Sequence, residues 1–223
     1  SILFANLTRK EKKIDVVGIK KLIYLFPCIL LVASILLLVS ERNYSLAEKK
    51  LSDHNILEAE KNIVVAITFN PYDSSLYLVY GQIKEIQKKQ DAAKEIYYKV
   101  ASLSSYNSEP YYRLGQIEFV NKNYTKAKEM FIKAIELAPF SHPKLYVALS
   151  DTYNELGETN KAKNTLRNAI ENIFPLNESY RGFYYLYEYS GLNKSLADLH
   201  IRLIAMDIKN KKIKEAKRLL DIV

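Results

Sequence analysis

The sequence predicts an all-α chain: a superhelix of antiparallel helix pairs preceded by one transmembrane helix. Three observations carry this. A pattern of small and large apolar residues returns every 34–35 residues, as the tyrosines 77, 111 and 146 mark. An uncharged run, Leu22–Val39, lies immediately before the repeats. Positive charge is uneven, with six basic against two acidic residues in 1–21 supplying half of the net +8.

The chain has 223 residues, and the pattern divides it into a basic segment 1–21, an apolar helix 22–40, repeats over 41–208 and a capping helix over 209–223. The apolar run is 18 residues long. As a helix it spans about 27 Å, close to the hydrocarbon thickness of a bilayer. Pro27 falls in its first half, where a membrane helix tolerates it. Arg9, Lys10, Lys12, Lys13, Lys20 and Lys21 precede the run, whereas Glu41, Arg42, Glu48, Lys49 and Lys50 nearly balance after it. The positive-inside tendency therefore puts the basic segment in the cytoplasm and the repeats outside, with the lipid bilayer as a first partner. Basic residues at both ends (Lys209, Lys211, Lys212, Lys214, Lys217 and Arg218 at the second) suit contact with anionic lipid. No arginine-rich or aromatic-interleaved pattern points to nucleic acid.

The repeat is clearest over 111–139. From Gly115 the pattern runs to Ala127, Phe131, Ala134 and Pro139. Small residues sit where two helices approach closely, large ones fill the holes between them, and proline stops the second helix. Asn121, Lys122 and Asn123 form the polar turn between the two helices. One unit earlier the register gives Tyr77, Gly81, Ala93 and Tyr97, and before that Leu46, Ala47, Ala59, Ile63, Ala66 and Pro71. One unit later it gives Tyr146, Leu149, Tyr153, Ala162, Leu166, Ala169 and Pro175. A worn fifth unit contains Gly182, Tyr184, Ala197, Ile201 and Ile204. Neither Gly nor Pro lies between Val39 and Asp53, so the first repeat helix is expected to continue directly from the apolar helix.

This resembles the tetratricopeptide repeat, whose units are helix pairs stacked into a right-handed superhelix with a concave binding face. The resemblance is near complete over 108–141, good over 74–107 and 143–175, partial over 40–73 and poor after 180. Tyr77, Tyr111 and Tyr146 stand where the family carries tryptophan. The resemblance places Leu78, Gln82 and Glu85, then Tyr112, Gln116 and Phe119, then Val147, Asp151 and Asn154 on the concave face. Of these, Tyr112, Gln116, Phe119, Leu78, Gln82 and Asp151 are the expected partner contacts. Aromatic rings supply contact area at low ordering cost, and amides fix orientation. Replacing Tyr112 and Phe119 by alanine is expected to weaken capture while leaving the fold intact. The arrangement by which some relatives clamp a terminal carboxylate is not in this register.

No constellation for catalysis or metal binding is legible. His54, His142 and His200 are scattered, Cys28 stands alone in the apolar run, and the six glycines form no phosphate loop. No catalytic residue, metal or cofactor is expected. The order of a basic loop, a last membrane helix and repeats opening with residues 59–82 resembles the carboxy-terminal part of O-antigen ligase/polymerase-like membrane proteins. That resemblance implies an accessory tail of a membrane glycosyltransferase, with a protein or an envelope glycan as partner and no catalytic residue in this chain. A single-span scaffold or an adaptor in envelope, pilus or secretion assembly uses the same parts and stays open.

Overall fold

The computed structural model describes residues 16–140, 142–173 and 190–209, with side chains over 25–140, 142–171 and 197–209. The first helix, α1 (Val16–Ser52), is continuous and unbroken at Pro27. It begins before the expected apolar boundary and runs through residue 41, so the apolar segment and the first repeat helix are one rod. From Leu25 to Leu38 its side chains are exposed. The rod is long and apolar enough there to cross a membrane. Below residue 25, and beyond residue 209, the expected basic segment and capping helix lie outside the described side chains.

Seven helices of 10–14 residues follow in strict alternation: α2 (Ile56–Phe69), α3 (Ser74–Ile86), α4 (Gln90–Leu103), α5 (Glu109–Val120), α6 (Tyr124–Leu137), α7 (Pro143–Glu155) and α8 (Thr159–Asn168). The pairs α1–α2, α3–α4, α5–α6 and α7–α8 pack most closely, and each pair packs on the next. Short turns force neighbours to run antiparallel. A π-helical segment, Ala169–Ile173, ends the last pair, and α9 (Ser190–Lys209) packs on α7 and α8.

Within each pair the turn is the same. The amide of the residue after the turn bonds back five positions, Asn55 to Lys50, Lys89 to Lys84, Asn123 to Glu118 and Glu158 to Tyr153, at 2.8–2.9 Å. The residue before it adopts positive φ: His54 (59°), Lys88 (60°), Lys122 (62°) and Gly157 (76°). This is the Schellman closure, which satisfies the last carbonyls of one helix while reversing the chain. Only the fourth unit uses the residue that adopts this conformation without a Cβ penalty.

The core repeats as well. Ala59, Ala93, Ala127 and Ala162 are fully buried at the helix crossings. Sixteen residues separate a small side chain on the first helix from a large one on the second: Ala47 and Ile63, Gly81 and Tyr97, Gly115 and Phe131, Ser150 and Leu166. The sizes are complementary. Aromatic rings stand opposite glycine, and aliphatic side chains stand opposite alanine or serine. A Cβ at Gly81 would meet the Tyr97 ring at 2.5 Å, and one at Gly115 would meet Phe131 at 2.6 Å.

Consecutive units are also joined by ion pairs in one register. Glu60 on α2 pairs with Lys84 on α3, and Lys94 on α4 pairs with Glu118 on α5 at 2.6 Å. The positions correspond one unit apart, but the signs are exchanged. Gln87 adds a second bond to Glu60, and Asn123 donates to Glu118 at 2.7 Å. In Glu60 the lysine and amide partners hold the carboxyl below its usual range, against a smaller effect of burial. For Glu118 burial is the largest influence and pushes the carboxyl up, yet Lys94 and Asn123 together outweigh it.

The fifth-unit register is corrected by α9. Ile201, expected in the core, is 58% exposed, whereas Leu199, His200, Leu203, Ile204 and Asp207 face inward. The apolar stripe of α9 turns toward α7 and α8. Asp207, fully buried, pairs there with Lys163 of α8. Gly182 and Tyr184 of the same unit lie outside the described residues.

Candidate partner-binding groove

The first helices of the pairs, α3, α5 and α7, present the six expected contact residues, all half-buried. Tyr112 and Gln116 are one turn apart on α5, and the Gln116 amide donates to the Tyr112 hydroxyl at 3.0 Å. The Tyr112 ring tilts against Phe131 with centroids 6.0 Å apart. Phe119, one further turn along, stacks edge-on against Tyr124 at 5.4 Å. The spacing of 112, 116 and 119 puts all three on one helical face.

Two adjoining hollows open along this face. One of about 450 Å³ is lined by Glu109, Tyr112, Arg113, Gln116, His142 and Lys144, among others. The other, of about 180 Å³, lies between Gln116, Phe119, Val120, Phe131, Ala148 and Asp151. Gln116 borders both, so its amide stands at the centre of the groove. The first hollow mixes polar and apolar surface, and the second is largely apolar.

Arg113, Lys144 and His142 were not among the expected contacts. Arg113 is held by Glu109 at 2.7 Å and reaches Glu85 of the preceding unit at 3.8 Å. Burial pulls its pKa down, but the Glu109 and Glu85 carboxylates more than compensate, so the net direction is up and the charge is secure. His142 caps α7, its Nδ1 accepting from the Lys144 amide at 3.2 Å. Burial first, then the Lys144 charge, hold that imidazole below its usual range despite Glu109, which favours the neutral ring at pH 7. A signal was present in sequence: Arg113 directly follows the expected Tyr112, and Lys144 lies at the start of α7, three residues before the expected Val147.

The remaining expected contacts sit differently. Leu78 packs beside the buried Leu114, Tyr97 and Val100 cluster. Gln82 lies on the same face of α3, near Glu85. Asp151 closes the far end, where Arg202 of α9 pairs with it and also binds Asp198 at 3.0 Å. Burial raises the Asp151 pKa, and the Arg202 charge only partly opposes this. Val147, expected to face the groove, is 7% exposed and belongs to the core between α7 and α9. Tyr112 likewise packs against two buried clusters, so its truncation would cost stability as well as contact. Among the described residues no group of three metal-binding side chains converges.

A family profile described as the tetratricopeptide repeat matches residues 74–107, 108–141 and 143–172. No curated protein matches the chain. Among solved structures, the chain is similar to PilF of Pseudomonas aeruginosa, with TM-score 0.63 at 16% identity over 82% of this chain and 74% of that one. It is similar to MamA of Desulfovibrio magneticus RS-1, with TM-score 0.60 at 15% identity over 82% and 92%. It is also similar to the first tetratricopeptide domain of Spaghetti (RPAP3), solved bound to the HSP90 peptide SRMEEVD, with TM-score 0.51 at 17% identity over 54% and 95%. At these identities the likeness is one of fold. Matched profile, helix pairing and recurrent Schellman turns agree that this chain carries a tetratricopeptide-repeat fold.

Proposed function

We propose that the chain is a non-catalytic, membrane-anchored module that captures an extended segment of a protein partner in the groove over α3, α5 and α7. The observation that carries this is the pair of adjoining hollows sharing Gln116, one lined mainly by charged and polar side chains over a mixed surface and one largely apolar. An extended peptide presents alternating side chains and free backbone groups. Phe119 and Val120 suit an apolar side chain, the Gln116 amide suits a peptide group, and Arg113 with Lys144 suits an acidic side chain. The RPAP3 domain, which shares the fold, was solved with an acidic peptide bound. Anchoring rests on the exposed apolar length of α1 and the basic residues before it, with the repeats on the outer side of the cell membrane.

A finer reading makes the module the accessory tail of an O-antigen ligase/polymerase-like enzyme, delivering a partner to a membrane-embedded site by raising its local concentration. It rests on the layout of basic loop, membrane helix and repeats. The groove reading is tested by placing a photo-crosslinking amino acid at Gln116, or at the convex residue Tyr98, of the full chain in its native membrane. A discrete protein adduct from position 116 alone supports capture in the groove. Equal adducts from both positions, or none from 116, refute it.

A further inference from the structure

The two ends of the helix stack are chemically unlike. Turns within the first three pairs, at one end, are polar: Asp53-His54-Asn55, Gln87-Lys88-Lys89 and Asn121-Lys122-Asn123. Turns between pairs, at the other end, each display one aromatic ring to solvent. These are Tyr72 (82% exposed), Tyr106 (88%) and Phe140 (70%). They recur at intervals of 34 residues, one per unit. Core packing does not explain them, because rings this exposed bury little. Their display is fixed from beneath: the Tyr77 hydroxyl donates to the Pro71 carbonyl at 3.1 Å, and the Tyr146 hydroxyl to the Pro139 carbonyl at 2.9 Å. Each bond pins the residue just before an outward ring.

This is also the end toward which the apolar part of α1 projects. The Ser40 hydroxyl donates to the Ala66 carbonyl at 2.9 Å, which sets the level of α2 against α1. Antiparallel descent of three further residues, about 4.5 Å, brings Phe69 level with Leu37, within the exposed apolar run. The α2–α3 turn with Tyr72 follows immediately. If α1 spans a bilayer, this turn stands at its surface, and helices antiparallel to α1 carry the next two turns to the same side. The turns 70–73, 104–107 and 138–140 contain no lysine or arginine and only one acidic residue, Asp73.

We infer that Tyr72, Tyr106 and Phe140 form a row that rests in the bilayer interface, so that the repeat stack lies edge-on along the membrane. Aromatic side chains favour the headgroup region, where an apolar ring and a polar tip are both accommodated. The occupant of this surface is lipid. The inference rests on membrane anchoring by α1 but goes further, since anchoring alone leaves the second and third turns free to stand in water.

The chain contains no tryptophan, so single substitutions give site-specific probes. Tyr72→Trp, Tyr106→Trp and Phe140→Trp would be compared with Asn121→Trp at the opposite end and Leu31→Trp within α1. Each variant would be reconstituted into phosphatidylcholine–phosphatidylglycerol vesicles, without brominated lipid and with lipid brominated either near the top or near the end of the acyl chain. Blue-shifted emission and bromine quenching at 106 and 140, with none at 121, is the expected result. Quenching at 31 but not at 106 and 140 overturns the row and leaves anchoring intact. No quenching at 31 overturns anchoring and the row together. Quenching at 121 equal to that at 106 overturns the edge-on orientation.

Discussion

Gly81→Ala is a one-carbon test of how these units are packed. The added Cβ would lie 2.5, 2.8 and 3.0 Å from three carbons of the Tyr97 ring. Ordinary carbon contacts are about 3.5–4.0 Å, so the ring must move by about 1 Å. Tyr97 is fully buried and has no solvent to swing into. Overpacking of this kind costs about 1–3 kcal/mol, and a clash this deep belongs in the upper half of that range. Alanine returns about 1 kcal/mol of helix propensity relative to glycine. The net expectation is therefore a loss of about 1–2 kcal/mol. The first unit already contains the remedy, since Ala47 stands opposite Ile63. In a Tyr97→Ile background the clash is gone and only propensity remains, so Gly81→Ala should there stabilise by up to about 1 kcal/mol. The coupling between the two sites is then about 2–3 kcal/mol, a size double-mutant cycles resolve. Hydrogen exchange of the α3 and α4 amides, on the full chain in detergent, is the suitable assay, because repeat arrays open locally. If Gly81→Ala cost the same in both backgrounds, the size-complementarity argument would be wrong.

The remaining expectations concern charge and turns. Glu60 and Glu118 have depressed folded pKa values, so their stabilisation is present above the unfolded carboxyl pKa of about 4.3 and lost as pH falls through it toward the folded values. An acid melting series should show this loss, and Glu118→Gln should flatten it. Reversing Glu60 to lysine opposite Lys84 should cost about 1–3 kcal/mol, and adding Lys84→Glu should recover most of it in thermal unfolding. Lys122→Gly should raise stability by up to about 1 kcal/mol, because the positive φ there penalises a side chain; an unchanged melting point would count against strain at that turn. Asp207→Ala removes the fully buried carboxylate that pairs α9 with Lys163 of α8 and should destabilise their packing, read as faster exchange in α8 and α9.

Much of the architecture was legible because it is written in residue size. Ala93, Ala127 and Ala162 recur where helices cross, and Gly81 and Gly115 recur opposite rings, so a period sufficed to find the pairs. The join between the apolar helix and the first repeat helix was legible in the absence of Gly and Pro between Val39 and Asp53. Register after the fourth unit was not legible. Without a small–large pair to fix helix rotation, Ile201 and Leu203 are equally plausible core residues in sequence, and only packing on α7 and α8 turns Leu203 inward. The groove was found by face and not by depth. Tyr112, Gln116 and Phe119 do line the hollows, but Val147 is covered and Asp151 is tied to Arg202, fifty-one residues away. Such a long-range partner leaves no local trace. Arg113 and Lys144 went unnoticed because a basic residue on a helix reads as solvated until its neighbours are known.

The exchanged signs of the Glu60–Lys84 and Lys94–Glu118 pairs give the second unit an address. Most of the fold treats the units as interchangeable, since every crossing alanine and every turn would accept its neighbour. The ion pairs do not. Excising residues 74–107 would bring Glu60 to face Glu118, and duplicating them would set Lys94 against Lys84. Both products would meet like charges at a partly buried junction. Loss or duplication of the second unit therefore requires a junction to be rewritten at the same time, which protects that unit from the slippage to which repeated sequences are prone.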